Sequence, residues 1–358
     1  MRGGERVLEA LCELCPGADI FTLYHRRGAV SPIIERHRII TSFVQRLPWA
    51  GAYYRQYLPV FPLAVEQFNL DAYDLVISSS HCAAKAAIPA GRARHLCYCH
   101  SPMRYAWDQF DAYFGPARVG RLASRWMYRP IMARMARWDG STASRVHRFV
   151  ANSAHVAARI RRYYNRGATI VYPPVDTVFY HPADVPPDSR FFIVSALVPY
   201  KRIDLAIAAC NRLGARLRVA GDGPDRARLE AAAGPTVEFL GRVSDEQLRD
   251  EYRRALAVIL PGEEDFGIVP VEAHACGRPV VALARGGARE TVIDGENGVL
   301  FDDPGAGALA AALERAARER FDPARIRATA ERFARDRHVQ RMRDIIDDTL
   351  AAPDGTRW

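Results

Sequence analysis

Two carboxylates, Glu264 and Glu272, stand eight residues apart in the run PGEEDFGIVPVEAHACGRPVV. Residues 257–260 (AVIL) read as a short apolar strand, PGEEDFG as a loop, IVPVEAHACG as a helix stopped at Gly277, and RPVVAL as a second strand. Strand, loop, helix, strand is a βαβ unit. Its loop lies at the carboxyl end of the first strand, where open α/β sheets take ligands. The helix N-terminus adds free backbone N–H groups and a positive dipole end, which suit a phosphate. One carboxylate sits on the loop and the other about two turns into the helix. Two acidic acceptors beside an anion site suit a ligand with phosphates in the middle and hydroxyls at both ends, and a sugar nucleotide is such a ligand. A glutamate is more often a solvated surface charge. Here Phe266, Ile268, Val269 and Val271 make the neighbourhood apolar. Pro270 falls in the first helical turn, where a missing N–H costs little, and Gly267 lets backbone approach a ligand.

Lysine usage points to a third group. Of 50 basic residues only Lys85 and Lys201 are lysines. Lys201 follows the apolar strand FFIVSAL in VPYKR. A compact ammonium at a strand's carboxyl end suits a diphosphate oxygen. Arg202 beside it adds positive charge where a leaving diphosphate would develop negative charge. For Lys85, in SSSHCAAKAA, a surface role and a functional one stay open.

These residues need a scaffold. FFIVSAL, RLRVAG, TVEFLG, AVILP, RPVVAL and GVLF read as strands, separated by helical stretches at about 202–213, 224–233, 244–254, 268–276 and 288–293. That alternation implies a parallel sheet with helices on both faces. In the first half GGERVLEALCELC reads as an amphipathic helix, and IFTLY, YDLVISSS, HLCYCH and RFVANS as strands with polar endings. The Pro-rich stretch 172–189 reads as a linker, and beyond 305 the pattern is helical to the end. The reading is α/β with three segments: 1–180, 181–335, and a C-terminal helix and tail at 336–358.

The chain of 358 residues suits two domains. With 49% hydrophobic and 25% charged residues it has an ordinary globular composition. No stretch approaches the 18 or so apolar residues of a membrane span, and no signal-peptide pattern opens the sequence, so cytoplasmic residence is expected. The seven cysteines (12, 15, 82, 97, 99, 210 and 276) form no complete zinc pattern; free thiols and no metal are expected. Charge is uneven. Residues 1–180 hold 24 Lys+Arg against 12 Asp+Glu, and the remainder 26 against 29. A basic half invites nucleic acid or an anionic membrane. No nucleic-acid motif is present. Two segments fit a membrane surface: 43–65, with aromatics around Arg46 and Arg55, and 118–138, with six arginines around Trp126, Met127, Tyr128, Met132, Met135 and Trp138. The alternative is core helices with snorkelling arginines.

The run EEDFGIVPVEAHACGRPVVA resembles the E-x7-E signature of retaining glycosyltransferases of family 4, which have the GT-B fold. CYCHSPMRYAWD, ANSAHVAARI, YPPVD, SALVPYKRIDLAI, VAGDGP, FLGRVSDEQL and GGARETVIDGENGVLF follow the family's order, so the resemblance spans almost the whole chain. It is nearest to bacterial mannosyltransferases of O-antigen and exopolysaccharide synthesis. It implies two Rossmann-like domains whose parallel sheets face a central cleft, the first binding acceptor and the second a nucleotide sugar, with the last helix returning to the first domain. By resemblance Lys201, Arg202, Glu264 and His100 are catalytic; Glu264 and His100 contact the donor sugar, and Glu272 holds the ribose. Gly3, Gly4, Gly223, Val243, Phe266, Gly267, Ile268 and Val269 complete the donor site, with Val243 at the base and the 266–269 amides on sugar or phosphate. Arg104 and Asp108 are either acceptor contacts or a helical ion pair.

The family carries an arginine where this chain has Ala196, and a hydrophobic first strand before a glycine loop that Gly3-Gly4 would form. The sequence opens at Met1-Arg2 without that strand, so the first domain is expected to lack a central strand and to be poorly soluble. The implied reaction moves a sugar, mannose favoured, from a nucleotide sugar to a lipid-linked saccharide at the inner face of the cytoplasmic membrane, with retention and without a metal. The competing readings are a GT-B sugar-nucleotide epimerase, a phosphorylase, and a non-catalytic scaffold of the same fold.

Overall fold

The computed structural model describes residues 3–358, apart from the side chain of Arg55; Met1 and Arg2, on which the missing-strand expectation bears, lie outside the described residues. The chain forms two compact units. One comprises residues 1–174 and 338–358, the other residues 175–337.

The first unit begins with helix α1 (Gly3–Leu14) and carries strands β1 (Ile20–Thr22), β2 (Ile39–Thr41), β3 (Leu75–Ser80), β4 (Arg94–Cys99), β5 (Arg148–Ala151) and β6 (Thr169–Ile170). β1 and β2 form a parallel pair, and β3-β4-β5-β6 a four-stranded parallel sheet. Helix α2 (Arg129–Thr142) precedes β5, and α3 (Ala154–Tyr164) follows it. α3 starts where Ser153 caps the Val156 N–H at 3.0 Å and stops at Asn165 in the left-handed region.

The second unit alternates β7 (Arg190–Val194), α4 (Ile203–Leu213), β8 (Arg216–Ala220), β9 (Val237–Gly241), α5 (Asp245–Arg254), β10 (Ala257–Leu260), α6 (Ile268–Ala275), β11 (Val280–Leu283), β12 (Gly298–Phe301), α7 (Ala306–Arg318) and α8 (Pro323–Ala330). Its six strands are parallel in the order β12-β11-β10-β7-β8-β9. β10 and β11 are buried along their length, which is why AVIL and VVAL are unbroken apolar runs rather than alternating ones. α5 opens on a capping box between Ser244 and Gln247. The last helix, α9 (Arg335–Ala351), contributes Met342, Ile345 and Ile346 to a core with Val7, Leu11, Leu96, Tyr98 and Val150 of the first unit.

Four differences from the sequence reading have physical causes. Gly3 and Gly4 form the first turn of α1, as the GGERVLEALCELC pattern predicts, and not the glycine loop that the resemblance implies. β2 and β6 carry too few residues to show a period. The C-terminal helices end at Ala351, before Pro353. Lys85 is not at the surface: it is 1% exposed, and its ammonium sits 3.1 Å from the buried carboxylate of Asp139 and 2.8 Å from Thr142 Oγ1. Trp107 Nε1 and the Tyr164 hydroxyl donate to the same carboxylate at 2.7 and 2.8 Å. A charge pair this deep survives only because its partners satisfy it.

Candidate active site

The second unit places most of the candidate residues at the carboxyl end of its sheet. β7 leads into a short 3-10 turn, Pro199–Lys201, and β10 into the loop at 261–267. The two loops touch through Gly262. A Cβ there would stand 2.8 and 2.9 Å from the carbonyl oxygens of Tyr200 and Lys201, so only glycine lets the backbones approach. Across this contact the Lys201 ammonium hydrogen-bonds the Glu264 carboxylate. The two side chains are 21% and 11% exposed, a partly desolvated pair in which each charge offsets the other.

The backbone at Glu264 is held from the other side. Gly287 N donates to Glu264 O at 2.8 Å, and Glu264 bridges Gly286 as an isolated parallel pair. A Cβ on Gly287 would run into the Phe266 backbone, and one on Gly286 into the Glu264 carbonyl. Phe266 is buried and packs edge-on against Phe333 at 5.5 Å. Gly267, with φ 79°, caps α6, whose first-turn N–H groups at Ile268 and Val269 have no acceptor within the helix.

Glu272 lies in α6 and is buried. Its Oε2 accepts from the Tyr252 hydroxyl at 2.8 Å, a bond that sets the carboxylate's orientation. Burial, and then the nearby Glu272 charge, push the Tyr252 phenol far up, so it stays a donor.

Arg202 turns elsewhere. It adopts the left-handed conformation at the start of α4 (φ 53°), and its guanidinium faces Asp204 at 3.3 Å. Gly223 is dictated by packing: a Cβ there would meet the backbone of Leu197, whose N–H donates to Asp222 O at 3.1 Å. Val243 lies half-buried in the loop between β9 and α5.

In the first unit His100 follows β4. Its Nε2 pairs with Ser79 Oγ at 2.8 Å, and Asn152 Nδ2 donates to its carbonyl at 2.9 Å. Burial holds the imidazole down to about 3, with His81 and His338 adding smaller like-charge effects, so the ring is neutral at physiological pH. Gly4 lies against this ring, its Cβ position 3.6 Å from Cε1. Asp108 ends the short helix Arg104–Trp107, and its carboxylate takes Arg159 at 2.7 Å and the Tyr163 hydroxyl at 3.2 Å.

The structure therefore brings Lys201, Glu264 and the α6 N-terminus together, with Glu272 further along α6. It directs Arg202 and Asp108 to other partners. Sequence reasoning missed Tyr252, for which no local signal exists, and Gly262, Gly286 and Gly287, whose signal was their glycine identity beside loops. Ser79 and Asn152 were marked only as polar strand endings. An open hollow of about 480 Å³ along β1 and β2, lined by Phe21, Phe43, Phe68 and Tyr73, contains none of the candidate residues. Among the described residues no three His, Cys, Asp or Glu side chains are placed to hold a metal ion.

Residues 1–179 match the family model described as Glycosyltransferase Family 4, and residues 183–333 the one described as Glycosyl transferases group 1. A D-inositol 3-phosphate glycosyltransferase of Geodermatophilus obscurus is 36% identical over 205 residues, covering 47% of this chain and 46% of that protein. One from Mycolicibacterium smegmatis is 33% identical over 181 residues, covering 43% and 42%. The chain thus spans a little under half the length of the curated relatives it matches. Sucrose-phosphate synthase from Thermosynechococcus elongatus superposes with a TM-score of 0.73 at 22% identity, covering 96% of this chain and 92% of that one. The Anabaena protein HepE, in complex with UDP and glucose, gives 0.69 at 18% identity, covering 97% and 96%. These likenesses show an α/β GT-B fold.

Proposed function

The chain belongs to glycosyltransferase family 4, and on that premise we propose that it transfers a sugar from a nucleotide diphosphate donor held by the second unit to an acceptor bound by the first. The observation that carries this reading is the Lys201–Glu264 contact at the carboxyl ends of β7 and β10, beside the N-terminus of α6. An ammonium has three N–H donors and Glu264 takes one, so Lys201 can also stabilise a leaving diphosphate. Glu264 orients the donor sugar. Glu272, fixed by Tyr252, accepts from the ribose hydroxyls. Amides at 266–269 face sugar or phosphate, Val243 the base, and Gly223 keeps the neighbouring turn close. Arg202 joins the phosphates only by leaving Asp204, a surface pair worth about 0–1 kcal/mol.

The bond between the anomeric carbon and the diphosphate oxygen breaks, and its electrons go to the diphosphate. The acceptor hydroxyl attacks from the same face, and its proton passes to the departing phosphate, which gives retention. Neutral His100 is suited to donate or accept one hydrogen bond at the donor sugar; Gly3 and Gly4 lie at the start of α1, with Gly4 beside its ring. No metal is called for, since Lys201 supplies the charge. Mannose and a lipid-linked saccharide in cell-surface polysaccharide synthesis are the donor sugar and acceptor we favour. Arg104 and Asp108 are the candidate acceptor contacts, and Asp108 would have to share its carboxylate with Arg159. The names of the inositol-phosphate relatives favour a second acceptor, a phosphorylated polyol. The UDP-bound Anabaena neighbour supports a nucleotide donor.

The test is incubation with UDP- and GDP-sugars in EDTA, with lipid-linked saccharide or inositol phosphate as acceptor. Acceptor-dependent release of nucleotide with a retained linkage supports the reading. Acceptor-free change of the sugar, or turnover only with inorganic phosphate, replaces it with the epimerase or phosphorylase reading; no turnover with any donor leaves the scaffold.

A further inference from the structure

One surface of the first unit has a composition that the transfer reaction does not explain. Between Asp111 and Asp139 the chain carries six arginines and no acidic residue. Its first part folds as short turns: Pro116–Val119, Arg121–Ala123 and a π-helical turn, Ser124–Tyr128, that runs into α2. Ser124 is buried, Tyr128 stacks on Phe114 at 4.8 Å, and Met132 and Met135 enter the core. Those anchors hold the segment while its remaining large apolar side chains face outward: Leu122 is 76% exposed, Trp126 70% and Met127 47%. Arg118, Arg121, Arg125 and Arg129 are exposed among them. Exposed apolar and exposed cationic side chains thus share one short segment. The sequence offered the whole of 118–138 as a surface; the structure narrows it to 118–129 and withdraws Met132, Met135 and Trp138, whose Nε1 donates to Glu66 at 3.0 Å.

We infer that this segment is an interfacial wedge that docks the first unit on an anionic lipid surface, with Leu122, Trp126 and Met127 entering the headgroup boundary and the arginines meeting lipid phosphates. Exposed Leu, Trp and Met side chains gain by leaving water for that boundary. Exposed arginines gain from an anionic surface potential, and of the four Arg129 also faces Asp111 at 3.5 Å. Nucleic acid would satisfy the arginines and leave Leu122 wet. A second copy of the chain would have to bring acidic groups to the same patch. The inference is independent of the donor site, and vesicle binding reads it whether or not sugar transfer is found.

The test is sedimentation of the whole chain with vesicles of phosphatidylcholine mixed with phosphatidylglycerol, and with phosphatidylcholine alone. Binding to mixed vesicles is expected to exceed binding to neutral ones and to weaken with salt. Leu122→Ala/Trp126→Ala and Arg121→Glu/Arg125→Glu should each weaken it on the order of tenfold or more. Both pairs are exposed, so melting temperature should hold and misfolding is separable. Trp126→Phe should abolish any blue shift of tryptophan emission on binding. The inference is overturned by absence of binding to mixed vesicles, by variants that bind like the wild type, by duplex DNA binding with the same dependence on Leu122 and Trp126, or by a lipid-free dimer that the first double variant dissociates.

Discussion

Lys201 and Glu264 are 63 positions apart in sequence and meet as a charge pair. In the proposed reaction Lys201 faces charge that appears only as the diphosphate leaves. Lys201→Ala should therefore lower kcat on the order of 100-fold or more, with a smaller change in KM. Steady-state kinetics checks this, and a near-normal kcat removes the lysine from the chemistry. Lys201→Arg should not restore full rate, because a planar fork does not replace a compact ammonium. Tyr252→Phe removes one donor from a buried carboxylate. It should weaken donor binding by about 0.5–1.5 kcal/mol, read by calorimetry. Lys85 is a different case. Asp139→Ala strands its ammonium in the core and should cost about 3–5 kcal/mol in denaturant unfolding of the first unit. Among these residues the sequence made Lys201, Glu264 and Glu272 legible through spacing and rarity. It gave no sign of Tyr252 or Asp139, because each meets its partner only through tertiary packing.

At the scale of elements, glycines decide how the site is assembled. Gly262, Gly286 and Gly287 let three loops pack backbone to backbone around Glu264. Gly287→Ala would press a methyl into the Phe266 backbone. It should destabilise the second unit by about 1–3 kcal/mol and displace Glu264, so that melting temperature and donor affinity fall together. The stable outcome, an unshifted melting curve, would mean that the loops yield without cost. The elements of the second unit are readable because β10 and β11 are unbroken apolar runs and α5 opens on a capping box. The first unit was less readable. β2 and β6 are shorter than any useful period, and 116–128 is broken into turns that no 3.6-residue pattern describes. The resemblance implies a loop at Gly3 and Gly4, whereas local amphipathicity continues the helix through them.

At the scale of the molecule, two units with separate cores should unfold in separable transitions. Each contains a deeply buried neutral histidine. Burial lowers His95 in the first unit to about 4 and His274 in the second to about 3. Both folded values lie below the ordinary value near 6.5, so the unfolded chain binds more protons as pH falls. Stability is fully present above about 6.5 and is lost from there down toward the folded values, at about 1.4 kcal/mol per pH unit for each histidine. Urea unfolding between pH 7 and pH 4 should show both transitions moving to lower denaturant, with His274→Asn flattening the response of the second unit alone. The family signature runs through both halves and made the α/β architecture legible before any coordinates; the paths of short turns and the partners of buried charges depend on packing that a single sequence does not encode.

In the proposed reaction one nucleotide sugar binds at the end of the second unit's sheet, with its ribose on Glu272. Calorimetric titration of the whole chain and of Glu272→Ala with UDP- and GDP-sugars tests it most directly. At least one donor is expected to bind the wild type, and the variant to lose about 1.5–3 kcal/mol of that affinity while its melting temperature shows a folded second unit. Equal affinity for wild type and variant would contradict it.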